Sequence, residues 1–355
     1  MKNTMKAAVL RGIRKISVED VSIPSVAEGE ILIKVHSCCV CGSDVRIFNH
    51  GNERVQYPAI IGHEMAGEVV SVGEGVNEFK VGDRIATGAD VPSMKDDWSK
   101  NGMGNLADIN YAIGYQFPGG FAEFCHLNKL TVEFGPVSKI PSHVPYELAA
   151  LAEPLACCIN GLERSFMKPG KSVLIFGAGP IGIMLYKAAY AYAASNVVLV
   201  DIDPKRIELA KNHGLENAFN IKDTSIESII KEHAYERNGF DALFTACPSV
   251  EAQETAVKAV AKRGVVNLFG GLPKATRPIS VDSNLIHYKE AYITGSHGSS
   301  PRQHKLAMQM IANGHIDLDG LVTHRFHLEQ VSTALDVAEN REGLKVVVQP
   351  GEGKV

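Results

Sequence analysis

The sequence predicts an α/β protein in two parts, a mostly-β part followed by a doubly wound parallel sheet. Three observations carry that expectation. Over the first ninety or so positions, short runs rich in β-branched residues are punctuated by glycine and proline. At 172–176 a fully apolar strand, S-V-L-I-F, runs directly into G-A-G-P-I-G at 177–182. From there to 296, apolar strands alternate with helical stretches, the pattern of a parallel sheet covered on both faces. A chain of 355 residues with 45% hydrophobic and 21% charged content suits a soluble two-domain protein. Its formal net charge of −4 gives no support to nucleic-acid or anionic-membrane binding. No run approaches the roughly 18 apolar residues of a membrane helix, and the start lacks the apolar core of a signal peptide. Seven cysteines, an odd number, suggest neither a disulfide framework nor a zinc ribbon, so a reducing, cytoplasmic setting is expected.

In chain order, M-K-A-A-V-L, I-S-V-E-D-V and I-L-I-K-V-H read as strands within 5–40, with a loop at 27–30. A-G-E-V-V-S-V-G and V-G-D-R-I-A continue them through 65–87, with glycines at 67, 73, 75 and 82 spaced as in a small barrel or sandwich. Residues 88–118 are polar and without period, a long loop or lobe containing the single tryptophan, Trp98. A strand is expected at 119–127, and an alanine-rich helical pattern at 141–155 follows Pro and Ser. After the glycine turn comes a helix, then the strand N-V-V-L-V-D at 196–201, a second helix, and strands at 240–246, 265–272 and 291–296. Two helices and a final strand, L-K-V-V-V-Q-P, close the chain.

Candidate chemistry sits at three separated places. Cys41 lies in C-G-S-D (41–44), His63 and Glu64 in I-I-G-H-E (60–64), and Glu153 in A-E-P-L-A (152–156). A thiolate, an imidazole and a carboxylate are the ligand set of an open zinc site, which keeps one position for water or substrate. Each residue alone reads equally as packing, since buried cysteines and histidines are common. Only a folded domain can bring the three places together.

The glycine motif has the context it needs, a strand before and a helix after. Gly177 permits the tight turn, Gly179 lets the backbone approach a pyrophosphate, and Gly182 lets helix and strand pack closely. A pyrophosphate would then rest on the helix N-terminus, where unpaired N–H groups favour anions. Asp201 ends the next strand at the distance expected of an acid that binds the ribose hydroxyls, and it would repel a 2′-phosphate. NAD is therefore expected over NADP. Arg206 either flanks the adenine or is a solvated helix residue.

Taken together, C-G-S-D (41–44), G-H-E-M-A-G-E-V (62–69), V-G-D-R-I (81–85), G-G-F-A-E-F (119–124), E-P-L-A (153–156) and G-A-G-P-I-G (177–182) resemble the medium-chain dehydrogenase/reductase superfamily along essentially the whole chain. The likeness is greatest to its sorbitol, polyol-phosphate and threonine dehydrogenase branch. The resemblance implies a GroES-like catalytic domain at 1–155, a Rossmann domain at 156–297 and a return to the catalytic domain at 298–355. It implies one catalytic zinc at Cys41, His63 and one or both of Glu64 and Glu153, with Cys41 and Glu153 central to catalysis and Ser43 on the path of the substrate's proton. Glu64 reads equally as a carboxylate behind the ligands. The cofactor-binding set on this reading is Gly177, Gly179, Pro180, Ile181, Gly182, Asp201, Arg206, Phe269, Gly270, Ser296 and His297. The implied activity is NAD-linked oxidation of a secondary alcohol on a polyol, sugar acid or polyol phosphate, by a homodimer or homotetramer. Threonine dehydrogenase chemistry is the nearest enzyme alternative, and a zinc-free, non-catalytic binding protein is the alternative of another class.

Two departures from the family pattern stand out. Many members carry four cysteines in the stretch matching 88–118, which bind a structural zinc, whereas this stretch has none. Asp90, Asp96, Asp97 and Asp108 cannot replace four thiolates, so no structural zinc is expected and the lobe must be held by packing, around Trp98 on this reading. Sorbitol dehydrogenases also carry an Arg-Tyr pair where 296–300 reads S-H-G-S-S. Sorbitol itself is thereby disfavoured, and Arg46 or Arg302 becomes a candidate partner for a substrate phosphate or carboxylate.

Overall fold

Strand Ile31–Cys39 lies at the centre of the first sheet, where nearly every residue is buried because both of its faces are covered. The sheet runs in the order Val322–His327, Lys345–Gln349, Ile31–Cys39, Glu64–Val72, Arg84–Thr87 and Val137–Lys139, with Phe124–Leu127 also pairing Ile31–Cys39. Antiparallel register sets Cys39 opposite Glu64 on one side and opposite Val347 on the other. Ile31, Ile33, Val35, Met65, Ile85, Phe121, Val346 and Val348 fill its core. The computed structural model describes residues 3–351, in two units. One comprises Met1–Ala156 with Gly298–Val355, the other Cys157–His297. The first break thus falls one residue after the expected position.

The second unit holds a six-stranded parallel sheet in the order Ala218–Asn220, Asn196–Asp201, Ser172–Phe176, Phe240–Thr245, Val260–Leu268 and Tyr292–Gly295. Its central strand is buried at every position, as its unbroken apolar run requires. The chain starts in the middle, builds outward to one side, then returns to build the other. This is the doubly wound order, and it opens a crevice at the carboxyl ends of the central strands.

Several elements differ from the expected ones. Helix Gly42–His50 and strands Val137–Lys139, Ala218–Asn220 and Val322–His327 were not expected. G-S-D opens the helix with weak helix formers, and the strands are short or polar, so local pattern alone conceals them. Strand Val260–Leu268 begins five residues before the expected 265, across exposed Lys262 and Arg263. The lobe is not a bare loop. Asp90–Val91 pairs with Tyr111–Ala112, and Asp96 caps the short helix Asp97–Lys100 through Ser99 N at 2.9 Å. Trp98 is 49% exposed, so the lobe does not pack around it. Buried Val91, Ala112 and Ile113 and the Asp90 carboxylate, which accepts from Ser299 N at 3.1 Å, hold it instead.

Candidate functional site

Cys41 and the His63–Glu64 pair meet because their segments flank one strand pair. Cys41 follows strand Ile31–Cys39 and is the N-cap of helix Gly42–His50, while Glu64 begins the neighbouring strand. One ligand atom from each of Cys41, His63 and Glu64 lies within 4.8 Å of the others, and His63 and Glu64 are buried. Gly62 makes the approach possible. Its φ is +96°, and a Cβ there would stand 2.8 Å from Cys38 Sγ and 3.0 Å from the Phe121 ring. Cys38 and Cys41 have C-x-x-C spacing, although the odd cysteine count points away from a zinc ribbon. Cys38 is a free, buried thiol packed in this strand pair, and its pKa is pushed well up by burial, so it is an inert partner.

Asp44 binds the two motifs together. Fully buried, it accepts from Cys41 N at 2.9 Å and from Gly62 N at 3.2 Å, and one oxygen lies 3.4 Å from His63 Nδ1. A carboxylate behind a ligand histidine sets the ring's orientation and its proton. Burial works against the charged form of His63, but Asp44 and Cys41 outweigh it and raise the pKa well above the usual value. Its Nδ1 is nevertheless buried with no partner at hydrogen-bond geometry.

Glu64 is held from the far end of the chain. Lys345 Nζ donates to Glu64 Oε1 at 2.6 Å, to Oε2 as well, and to Val40 O at 3.3 Å. Register explains the reach, since Lys345 lies two residues before Val347, which faces Cys39, which faces Glu64. Burial alone would lower the Lys345 pKa, yet Glu64 and the neighbouring cysteines raise it overall. Glu153, in the first turn of helix Ala152–Arg164, is buried but stands outside the close trio. Burial raises its pKa to about 7, with His63 and Lys345 opposing and Glu64 and Asp90 reinforcing the rise. A thiol, an imidazole whose Nδ1 faces Asp44 and whose other nitrogen remains to bind a metal, and two buried carboxylates fit a zinc ion. Ser43 is half-buried on the first helical turn, and Arg46 and Arg302 are exposed.

The dinucleotide loop lies wholly within the second unit. Gly177 has φ +109°, and a Cβ on Gly182 would overlap the Gly177 carbonyl oxygen. At Gly179 a Cβ would meet nothing within 4 Å, which leaves an open cradle at the N-cap of helix Pro180–Ala191. This fits a pyrophosphate on the free N–H groups, with Pro180 and Ile181 forming the first turn. Asp201 ends its strand accepting from Ala178 N at 2.7 Å and Asp203 N at 2.9 Å, so the acid also braces the glycine loop. Arg206 is buried in helix Pro204–Asn212, which sets aside the solvated alternative. Farther along the carboxyl ends, Gly270 N donates to Thr245 O at 2.6 Å, and Phe269 packs against Gly161. Ser296 Oγ donates to Asn267 Oδ1 at 3.1 Å, and His297 O accepts from Asn160 at 3.3 Å.

Residues 27–135 match the alcohol dehydrogenase GroES-like domain, and residues 180–313 match the zinc-binding dehydrogenase family. Over 98% of its length the chain is 33% identical to a sorbitol dehydrogenase of Bacillus subtilis, covering 97% of that protein. It is 30% identical to an L-threonine 3-dehydrogenase of Chelativorans, with 98% and 99% of the two chains covered. The chain is a zinc-dependent medium-chain dehydrogenase. It belongs to the family's sorbitol-dehydrogenase-like branch and works with a nicotinamide cofactor. Among solved structures, the dehydrogenase superposes at a TM-score of 0.89 on a protein of Sinorhizobium meliloti described as a zinc-binding dehydrogenase and bound to NADP. Those two chains are 28% identical, with 98% and 100% covered.

Three residues of the dehydrogenase gain a role only in the folded chain. Asp44 stands inside C-G-S-D, and an acid three residues after a candidate ligand cysteine is a usable signal. Lys345 gave none, since only sheet register brings it to Glu64. Tyr115, with its ring centroid 5.9 Å from that of His63, was hidden in the aperiodic lobe.

Proposed function

We propose that the dehydrogenase oxidises a secondary alcohol of a polyol, sugar acid or polyol phosphate, with NAD in preference to NADP. The trio of Cys41, His63 and Glu64, with Glu153 buried nearby, is the observation that carries this reading. Bound there, zinc would supply a Lewis acid that favours the alkoxide and NAD would accept the hydride, so that alcohol and NAD⁺ become ketone, NADH and a proton. Asp44 orients His63 and anchors Cys41 N, keeping both in place without reorganisation. Both Glu64 oxygens are engaged by Lys345, and Glu153 is a second buried carboxylate for the metal or its water. Ser43, on the turn after Cys41, stands on the path of the substrate's hydroxyl proton, releasing its own hydroxyl proton as it receives that one. Asp201 supports NAD because a carboxylate facing a 2′-phosphate repels it.

The proposal includes a cytoplasmic homo-oligomer. Strand Tyr292–Gly295 is the outer edge of the parallel sheet, with Tyr292 and Ile293 exposed, and an apolar edge of this kind pairs readily with a second copy.

A panel of polyols, sugar acids, polyol phosphates and L-threonine, followed by NADH absorbance on zinc-loaded protein, tests the reading. Turnover of the polyol-type compounds is expected. Turnover confined to L-threonine would replace the substrate class, and none at all would leave the binding-protein alternative.

A further inference from the structure

The lobe at 88–118 delivers one side chain to the metal trio. Tyr115 presents its ring to His63 at 5.9 Å between centroids and 47° between planes, with its hydroxyl on the Ser43 side. It is half-buried, so part of the phenol is packed and part is open. A loop residue placed by chance would have nothing fixing its ring. Tyr115 has Arg54, from a distant stretch of chain, with the guanidinium carbon 4.7 Å over the ring.

Arg54 is itself tied down. Its Nη2 donates to Asn110 O at 2.5 Å and reaches Gln116 Oε1 at 3.4 Å. Gln116 closes the loop by donating to Asn110 O at 3.3 Å and accepting from Ala112 N at 3.1 Å. Tyr115 N donates to Ala112 O at 3.3 Å within the same turn. Among the described residues, Arg54 Nε and Asn110 Oδ1 are buried without partners. A native fold rarely leaves such atoms unpaired, and here the guanidinium's place is set by the ring it covers and the carbonyl it bonds. Turned inward in this way, Arg54 is committed to the lobe and is not offered as a phosphate receptor.

We propose that Tyr115 selects the substrate, its phenol hydroxyl binding the oxygen next to the reacting carbinol, and that Arg54 is the positioning residue that holds it there. The proposal rests on the alcohol-oxidising reading and narrows it to substrates with a vicinal hydroxyl. A phenol both donates and accepts, so it can pair with a neighbouring hydroxyl whichever way that group points. A simple secondary alcohol has no such oxygen and gains no such bond from Tyr115.

Tyr115→Phe keeps the ring under Arg54 and removes only the hydroxyl. With zinc-loaded, full-length protein and NAD, kcat/KM for 2,3-butanediol should fall about tenfold, mainly through KM, the effect of one lost hydrogen bond. For 2-butanol the fall should be clearly smaller, limited to what the hydroxyl beside Ser43 contributes to both alcohols. Zinc content should match the wild type. With cobalt in place of zinc, half-saturation of the visible spectrum by the diol should rise by about the same factor. Arg54→Ala should reproduce the diol-specific loss and Arg54→Lys should recover part of it. Tyr115→Phe decides the matter alone where Arg54→Ala fails to fold. Equal losses for both alcohols, or none for the diol, would overturn the selective role while leaving alcohol oxidation standing. A wild-type protein that oxidises no secondary alcohol would bring down both.

Discussion

Lys345 and Glu64 are both almost fully buried, and each is the other's charge partner. Breaking a buried pair by removing one member costs about 3–5 kcal/mol, because the remaining charge is left without compensation. Lys345→Met should therefore lower the melting temperature of metal-free protein by several degrees. Zinc can stand in for the missing cation, so the rise in melting temperature on adding zinc should exceed that of the wild type. Melting curves with and without zinc measure both, and an unchanged metal-free melt would show that the pair carries no stability. At the cofactor loop, Asp201→Asn removes the charge and keeps one of the two acceptor oxygens that take the Ala178 and Asp203 N–H groups, so one of those bonds is lost. The ratio of kcat/KM for NAD over NADP should narrow by at least tenfold, since a like-charge contact with phosphate costs several kcal/mol. A ratio unchanged by the substitution would remove Asp201 from cofactor choice.

Between elements, a histidine ties helix Pro301–Ala312 to strand Val137–Lys139. Ser300 and Gln303 form a capping box that starts the helix, and fully buried His304 bonds Ser138 Oγ at 2.9 Å. Burial pushes the His304 pKa down from 6.5 to about 4, with Thr87 partly opposing. The folded protein therefore resists a proton that the unfolded chain accepts. Stability from this residue is fully present above pH 6.5 and is lost as the pH falls from 6.5 toward 4. Between pH 7 and pH 5 the loss should be about 2 kcal/mol. Denaturant unfolding at the two pH values should show that difference in the wild type and a smaller one in His304→Asn. A variant with the full pH dependence would assign the effect to other groups.

For the whole molecule, the metal count is the informative number. Among the described residues, Cys41, His63 and Glu64 form the cluster suited to a metal, and the lobe is held by hydrogen bonds and packing. Purified protein should hold one zinc per chain, and a chelator should abolish activity while leaving far-UV circular dichroism largely unchanged. Cys41→Ser should lose nearly all activity yet still bind NAD, because Gly177 and Gly182 build their turn within the second unit. Two tightly held zinc ions per chain would contradict the account of the lobe.

What could be read before folding was local. S-V-L-I-F followed by G-A-G-P-I-G specifies strand, turn and helix, because only glycine permits the φ of +109° at Gly177 and the close packing at Gly182. The candidate ligands Cys41, His63 and Glu64 were legible through the residue types around them, and family resemblance supplied their joint meaning. Helix Gly42–His50 was not legible, since its opening residues are poor helix formers and its burial is earned through Asp44, Ile47 and Phe48. The order of the strands was equally beyond local pattern, and with it the pairing of Lys345 to Glu64 across the Val347–Cys39–Glu64 register. Tyr115 and Arg54 show the same limit. A side chain's partners depend on which segments pack together, and packing is a property of three dimensions that no spacing along the chain encodes.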